Sequence, residues 1–350
     1  MRNLFLQVAV ICFLSISYSV LGQNGGKNTF EFLDLPNAAR VASLGGNVIS
    51  IQDNDLNLVF HNPSLLNKEM SENFVLNYIN YFSDINFGYV SYAKHIEKYG
   101  TFAAGLHYIN YGKFIEADYT GQIIGEFTAA EYALNLMYAR PLDSNFTVGA
   151  NLKSIYSALD TYYSSGMAVD AGITYHNSKN LTVALVIKNL GHQIKPYYEK
   201  NWEPLPFDIQ VGISKRLGHA PFRFSILAQN LTNFKMRYEL PESNNITQFD
   251  NDSIVKENKI EKFADEAARH FIFAAEFIPV ENFYLRFGYN YQRRKELQLV
   301  TRAKLTGFSF GIGVRISKFH FSYGLATYHV AGASHHFSIS TNLSGFYKRS

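Results

Sequence analysis

The 350-residue chain has a single cysteine, Cys12, which lies in the apolar N-terminal stretch MRNLFLQVAVICFLSISYSVLG. That stretch has an early arginine, a short apolar middle and a small residue at its end, a pattern typical of a secretory signal peptide. We expect residues 1–22 to be removed, so that Gln23 begins the mature chain. The mature chain then has no thiol for a disulfide, a metal site or a cysteine nucleophile. The alternative for Cys12 is a lipoprotein cysteine, although several apolar residues follow it.

Long hydrophobic runs are also missing. No later segment approaches about 18 uninterrupted apolar residues, so the sequence predicts no membrane-spanning helix. The formal net charge of +3 is too small to indicate a nucleic-acid partner. The mean hydropathy is only -0.11, yet 15% of the residues are aromatic, with 29 Phe and 24 Tyr. The apolar side chains must therefore be spread along the chain.

From about residue 73 onwards, apolar side chains alternate with small or polar ones in runs of about ten residues. In LTGFSFGIGVRI (305–316), Phe308, Phe310 and Ile312 fall on one face of a strand, and Ser309 and Gly311 fall on the other. This alternation is typical of a transmembrane β-barrel, whose strands face lipid on one side and the lumen on the other. We therefore predict an outer-membrane protein of a Gram-negative bacterium, and expect Phe310→Arg to be costly and Ser309→Asn to be mild.

About fourteen such runs occupy residues 73–350, and short turns follow every second run. Longer connections are predicted at 111–130, 191–206 and about 231–268. Short periplasmic turns that alternate with longer extracellular loops place both termini in the periplasm. The predicted fold is an all-β, antiparallel barrel. A large soluble β-sandwich is the alternative, because it also has one buried and one solvated face.

Residues 23–72 lack this alternation and are too many to serve only as a leader into the first strand. Asn37 is a candidate cap for a short helix over AARVASL that stops at Gly45 and Gly46. We predict that the segment plugs the barrel, because a barrel of this size has a lumen. The alternative is a periplasmic extension packed beneath the barrel.

The string ARVASLGG, an acidic patch at Asp53 and Asp55, and then FHNPSLL resemble the N-terminal hatch of the FadL-like outer-membrane family. The Asn-Pro-Ala motif of that family matches Asn62 and Pro63, followed here by serine in place of alanine. Asn-Pro by itself also fits an ordinary turn.

A wider set of segments resembles the PorQ family, which is FadL-related and belongs to the type IX secretion system. These segments include FEFLDLPNAARVASLGGN, NYINYFSDINFGYVSYA and YEKNWEPLPFDIQVGISKRLGHAPFRFSILAQNL. The resemblance implies a barrel in a cell-surface attachment complex with PorU, PorV and PorZ, in which the barrel holds PorZ at the surface. It implies no cofactor.

Matches to catalytic motifs fail on geometry. GFSFG (307–311) has the spacing of a nucleophile elbow, which needs a strand-to-helix turn, but it lies within an alternating strand. We therefore expect no enzyme and no metal site. Charged residues on the small-residue face are instead expected to pair across the lumen and hold the plug. They are Lys153, Asp170, Lys188, Asp208, Arg223, Glu276, Arg286 and Arg315.

The leading functional interpretation is a non-enzymatic barrel that binds a surface partner through its extracellular loops. The candidate partner-binding residues are Tyr197, Tyr198, Trp202, Lys256, Lys259 and Phe263. Aromatic residues in loops are enriched at interaction hot spots, and residues 254–269 fit a short amphipathic helix. The other partner expected is the lipid of the outer membrane. The alternative function is a FadL-like transporter of small hydrophobic molecules, with the N-terminal hatch as its gate.

Overall fold

The structure, a computed structural model, describes residues 28–237, 259–297, 305–329 and 332–347. Within these ranges, fourteen antiparallel strands form one closed barrel in which β1 pairs with β14 and every other pairing joins neighbours in sequence. The predicted all-β barrel is confirmed, and the β-sandwich alternative is wrong because the first and last strands pair directly. The predicted signal peptide, with Cys12, lies outside the described residues.

The strands are β1 (Asn73–Asn80), β2 (Asn86–Ile96), β3 (Gly100–Ala117), β4 (Ile123–Pro141), β5 (Phe146–Leu159), β6 (Tyr162–His176), β7 (Leu181–Lys195), β8 (Asp208–Arg216), β9 (Phe222–Ala228), β10 (Phe271–Val280), β11 (Phe283–Asn290), β12 (Phe308–Ile316), β13 (Phe319–His329) and β14 (Gly332–Asn342). The helices are α1 (Ala39–Ser43), α2 (Lys259–Arg269) and α3 (Tyr291–Glu296). Short 3-10 turns cover Glu31–Asp34, Leu56–Phe60, Pro63–Leu65, Lys68–Met70 and Leu343–Phe346. Within the ranges given above, no helix combines the length and apolar composition needed to cross a bilayer.

Two connections differ from the sequence expectation. The predicted long loop at 111–130 is instead a continuation of β3 and β4, in which Phe114 pairs with Phe127 and their rings stack 5.0 Å apart. Cross-strand aromatic pairs of this kind stabilise a hairpin beyond the barrel wall. The alternation in FYLRFGYNYQRR (283–294) predicts a single strand over the whole run, but β11 ends at Asn290. The Asn290 side chain accepts a hydrogen bond from the Arg293 backbone N–H at 3.0 Å and so begins α3.

The connections divide between the two ends of the barrel. The short-turn end carries residues 97–99, 142–145, 177–180, 217–221, 281–282 and 317–318, and the long-loop end carries the longer connections 196–207, 229–270 and 291–307. β14 finishes at the short-turn end, whereas the Thr29 backbone N–H donates to the Pro204 carbonyl at the long-loop end, 2.9 Å away. The first and last described residues therefore lie at opposite ends of the barrel. The position of the N-terminus itself stays a prediction.

The two faces of the wall follow the predicted alternation. On β12, Phe310 points outward and is 41% exposed, whereas its neighbour Ser309 points inward and is fully buried. Outward aromatic and aliphatic side chains form the apolar belt that such a barrel presents to lipid. The inward face is the one that positions the candidate site.

Candidate functional site

Residues 28–72, here called the interior segment, lie in the lumen and run from the long-loop end to the short-turn end. Leu33, Val41, Leu58 and Phe60 of this segment are fully buried. The sequence allowed two locations for residues 23–72, the lumen and the space beneath the barrel. The described part, residues 28–72, lies in the lumen. Its burial of apolar side chains favours a stable association with the wall.

Inward glycines of the wall make room for the interior segment. A β-carbon at Gly288 would lie 2.2 Å from the Gly45 backbone nitrogen, and one at Gly149 would lie 2.4 Å from the Pro63 carbonyl carbon. Similar close approaches occur at Gly172, Gly212, Gly311 and Gly324. Glycine on the inward strand positions therefore permits direct backbone contact between wall and interior segment.

This packing gives a first testable prediction. Gly288→Val should lower the free energy of unfolding by about 1–3 kcal/mol, because the added side chain overlaps the Gly45 backbone. Unfolding titrations in lipid vesicles measure the change in free energy, and proteolysis shows whether the interior segment has become accessible. Gly218→Val is the matched control, since a β-carbon at Gly218 has no neighbour within 4 Å among the described residues. Equal results for the two variants would show that the interior segment does not pack on β11.

The helix predicted over AARVASL is present as α1 and ends before Gly45 and Gly46, both of which have φ +96°. Asn37 does not cap it, contrary to expectation. The Asn37 side chain donates to the Asn57 carbonyl oxygen at 3.0 Å and contacts His61 Nε2 at 3.1 Å. Asn37 thus joins two parts of the interior segment.

Ser309 holds the end of α1 to the wall. Its hydroxyl accepts from the Gly45 N–H at 3.0 Å and donates to the Ser43 carbonyl at 3.1 Å. Ser309 is buried against the interior segment and does not face an open lumen. We therefore replace the expectation that Ser309→Asn is mild with the expectation that it destabilises the barrel.

Asn62 and Pro63 were expected to belong to the hatch. Pro63 begins the buried turn Pro63–Leu65, and Asn62 caps it. Asn62 Nδ2 donates to the Ile49 carbonyl at 2.7 Å and to Thr174 Oγ1 on β6 at 3.0 Å. Asn62 Oδ1 accepts from Ser64 N–H at 2.9 Å, and Ser64 Oγ contacts Thr174 Oγ1 at 2.7 Å. The Asn-Pro pair therefore forms a turn, and that turn is also a contact with the wall.

Arg40 on α1 is the centre of a buried ion network. Its guanidinium contacts Asp53 at 2.7 Å and Asp55 at 3.0 Å within the interior segment. It also contacts Glu276 of β10 at 3.0 Å. Arg40 is only 5% exposed, so its charge is compensated by these carboxylates and not by water.

Two wall arginines complete the network. Arg223 contacts Asp53 at 3.0 Å and Glu276 at 2.8 Å, and Arg286 contacts Glu276 at 3.2 Å. Burial alone would raise the pKa of the Asp53 carboxyl, but the positive charges of Arg40 and Arg223 outweigh burial and hold this pKa well below its ordinary value. Asp53 is therefore ionised at neutral pH. Its contribution to stability is lost only on acidification below the unfolded-state pKa of about 4.

A second charged cluster lies on β5 to β7. Lys153 and Asp170 are both fully buried and 2.8 Å apart, and Lys153 also donates to Asn189 Oδ1 at 2.6 Å. Lys188 contacts Asp34 of the interior segment at 3.3 Å. The sequence predicted that wall charges pair and hold the segment, and these contacts provide such pairs. Arg315 instead is exposed, and its side chain borders the cavity at the short-turn end.

The exposed loop aromatics lie at the long-loop end. Tyr198 and Trp202 are 55% and 59% exposed. Tyr197 is not exposed as expected, because its hydroxyl donates to Ser157 Oγ and its ring packs against the buried cluster around Phe30.

The predicted amphipathic helix is present as α2. Lys259 and Phe263 are exposed, and the Phe263 ring lies 5.6 Å from that of Phe234. Asp265 fixes α2 to α3 through Lys295 at 3.3 Å and Tyr291 at 2.7 Å. Lys256 lies outside the described residues.

Three cavities border the interior segment within the described ranges. One of about 700 Å³ lies at the short-turn end and is lined largely by charged residues, including Arg40, Arg216 and Glu281. Two adjoining cavities of about 650 and 320 Å³ lie at the long-loop end, and both include Asp34 and Asp208. Charged and polar side chains predominate in all three linings.

Sequence reasoning did not single out Arg40, although it is the most connected charge of the interior. The available signal was an arginine in a helix of small residues, close to the acidic patch at Asp53 and Asp55. Its wall partner Glu276 is 236 residues away, and periodicity cannot indicate that pairing.

The closed fourteen-stranded barrel has the fold of two solved transporter structures. The toluene transporter TbuX of Ralstonia pickettii matches with a TM-score of 0.52 and 12% identity over 89% of this chain and 99% of that chain. The toluene transporter TodX of Pseudomonas putida matches with a TM-score of 0.50 and 11% identity over 87% of this chain and 96% of that chain. No protein-family model and no curated protein sequence matches the chain. At this identity the likeness establishes the fold alone.

Proposed function

We propose that the protein is a plugged, non-enzymatic outer-membrane barrel that holds a surface-attachment complex of the type IX secretion system. Its long-loop end faces the exterior and its short-turn end faces the periplasm. The resemblance of the sequence to the PorQ family supports this role and names PorZ as the direct partner, with PorU and PorV alongside.

The observation that carries the proposal is the packing of the lumen. Two ion pairs of 3.0 Å connect the interior segment to the wall, one between Arg40 and Glu276 and one between Asp53 and Arg223. Breaking such a buried network leaves charges without partners, which is costly. An interior segment held in this way supports a rigid scaffold better than a gate that opens often.

The exterior offers surfaces suited to a partner. Trp202 and Tyr198 project from the connection 196–207, and Phe263 with Phe234 forms an exposed aromatic pair on the connection 229–270. Neighbouring elements hold both surfaces in place. Tyr197 makes a hydrogen bond to Ser157 of β5, and Asp265 accepts a hydrogen bond from Tyr291 of α3. Loops positioned by a rigid scaffold are common sites of recognition.

Transport of small hydrophobic molecules is the second candidate, and the comparisons favour it. The solved structures that share the fold are described as toluene transporters. The linings of the three cavities that border the interior segment favour anchoring instead, because pockets for apolar ligands are lined mostly by apolar side chains. Here charged residues such as Arg216, Arg223 and Glu281 surround the short-turn cavity.

Point variants at the exposed aromatics test anchoring. In a host with a type IX secretion system, Trp202→Ser combined with Phe263→Ser should move most PorZ from the cell surface to the medium, because aromatic anchors supply much of the energy of an interface. Immunoblots of surface and supernatant fractions measure this. Tyr347→Ser is the matched control, since Tyr347 is 71% exposed at the short-turn end.

The same strains distinguish the two candidates. Folding of each barrel is verified by the mobility of unheated samples on gels, and uptake of labelled toluene is measured in parallel. Normal PorZ retention in a strain that lacks the whole barrel would contradict anchoring. Loss of toluene uptake in that strain would then favour transport.

A further inference from the structure

The inner cavity at the long-loop end, of about 320 Å³, contains polar atoms that lack partners. Four lining residues, Asn47, Asp208, Arg293 and Tyr328, each have a buried side-chain atom with no hydrogen bond among the described residues. Asp208 and Asn47 are only 4% and 8% exposed. Buried polar groups without partners are costly in a native structure, so this concentration in one cavity indicates a ligand.

The unpaired atoms on one side are acceptors. Asp208 Oδ2 accepts from Gln210 at 2.8 Å and from the Asn230 N–H at 3.0 Å, whereas no described residue donates to Asp208 Oδ1. Asn47 Nδ2 donates to Gln210 at 3.0 Å, and Asn47 Oδ1 is unpaired. The remaining carboxylate and amide oxygens suit a group with several N–H donors, and an ammonium ion has three.

The unpaired atoms on the other side are donors. Arg293 Nη2 donates to the Gly45 carbonyl at 3.1 Å, and Arg293 Nη1 has no acceptor within the described part of the chain. Tyr328 Oη, close to Gly46, has no acceptor for its proton in the described ranges, and the Arg293 guanidinium lies 3.9 Å from the Tyr328 ring centroid. A guanidinium N–H beside a phenol hydroxyl suits a carboxylate.

The two sides are held apart by the barrel. Asp208 begins β8 and Tyr328 is near the end of β13, with β9 to β12 between them. The double glycine at Gly45 and Gly46 keeps the floor of the cavity free of side chains. The outer cavity of about 650 Å³ shares Asp34, Asp208 and Gln292 with the inner one and supplies a route from the long-loop end.

We propose that this cavity binds a small zwitterion of the α-amino-acid class. Arg293 Nη1 and Tyr328 Oη donate to its carboxylate, and Asp208 Oδ1 and Asn47 Oδ1 accept from its ammonium group. The volume lies at the lower end of the range for small-molecule sites. This site stands apart from the anchoring role, which requires no small ligand, so either can fail alone.

Calorimetric titration of the full barrel in detergent tests the proposal. L-alanine, L-leucine and L-glutamate are the zwitterionic probes, with acetate, ethylamine and glucose as analogues. At least one amino acid should bind with a dissociation constant of about 1 mM or tighter. Acetate and ethylamine should each bind at least about tenfold more weakly, because each leaves one set of buried groups unpaired. The proposal would be overturned if none of the three amino acids bound, or if glucose bound with the same affinity as the amino acids.

Variants identify the site. Tyr328→Phe should weaken amino-acid binding by roughly tenfold without disturbing the fold, because the hydroxyl makes no hydrogen bond among the described residues. Asp208→Asn should also weaken it by roughly tenfold or more. Arg315→Gln, in the cavity at the opposite end, is the control and should leave the affinity unchanged. Undiminished binding by Tyr328→Phe would contradict the proposed carboxylate position.

Discussion

Arg40→Met should lower the free energy of unfolding by about 3–5 kcal/mol, the largest single effect that we expect. Removing the guanidinium leaves Asp53, Asp55 and Glu276 without their shared cation in a buried site. Arg223 and Arg286 compensate only part of the negative charge. Unfolding titrations in lipid vesicles measure the loss, and proteolysis of the interior segment shows whether it leaves the lumen while the wall remains folded.

Two further variants make this result specific. Arg216→Met removes an arginine from the lining of the same short-turn cavity but outside the ion network, so its effect should be small. Adding Asp55→Asn to Arg40→Met should restore part of the lost stability, because Asp55 loses its ion pair with Arg40, whereas Glu276 keeps Arg223 and Arg286. Equal losses for Arg40→Met and Arg216→Met would mean that the network does not hold the interior segment.

Phe310→Arg should cost about 2–4 kcal/mol if Phe310 faces lipid near the midplane, since a charge on this face is expensive there. Phe310 is 41% exposed, and its ring contacts that of Phe287 at 5.3 Å in an edge-to-face arrangement. Ile316→Arg, at the end of β12, should cost only about 0–1 kcal/mol because it lies closer to the interface. Refolding titrations in lipid vesicles give both values.

The inward neighbour supplies a second contrast on the same strand. Ser309→Asn should also destabilise, because the larger side chain displaces the contacts with Gly45 and Ser43. The conservative variant Phe310→Leu should remain close to the parent. If Ile316→Arg lowered the free energy of unfolding as much as Phe310→Arg does, the cost of a charge would not depend on its depth in the bilayer. The outward face would then not be arranged around a lipid midplane.

The sequence by itself determined the wall of the barrel. Side chains two residues apart share one face of a strand, so the order of Phe308, Ser309 and Phe310 already assigns outside and inside. The short turns gave the number of strands and the end at which each hairpin closes. The alternation does not show where a strand ends if the same pattern continues into a helix. This is the case at Asn290, where β11 ends and the Asn290 side chain caps α3.

Only the tertiary structure decided what fills the barrel and how the filling is held. The fully buried pair of Lys153 and Asp170 depends on the register of β5 against β6. Asp208 and Tyr328, which lie on distant strands, line one cavity only because the sheet closes. Arg40 and Glu276 are separated by 236 residues along the chain. A two-residue period fixes the face of each side chain and carries no information about its partner across the lumen, because that depends on register, on barrel closure and on the path of the interior segment.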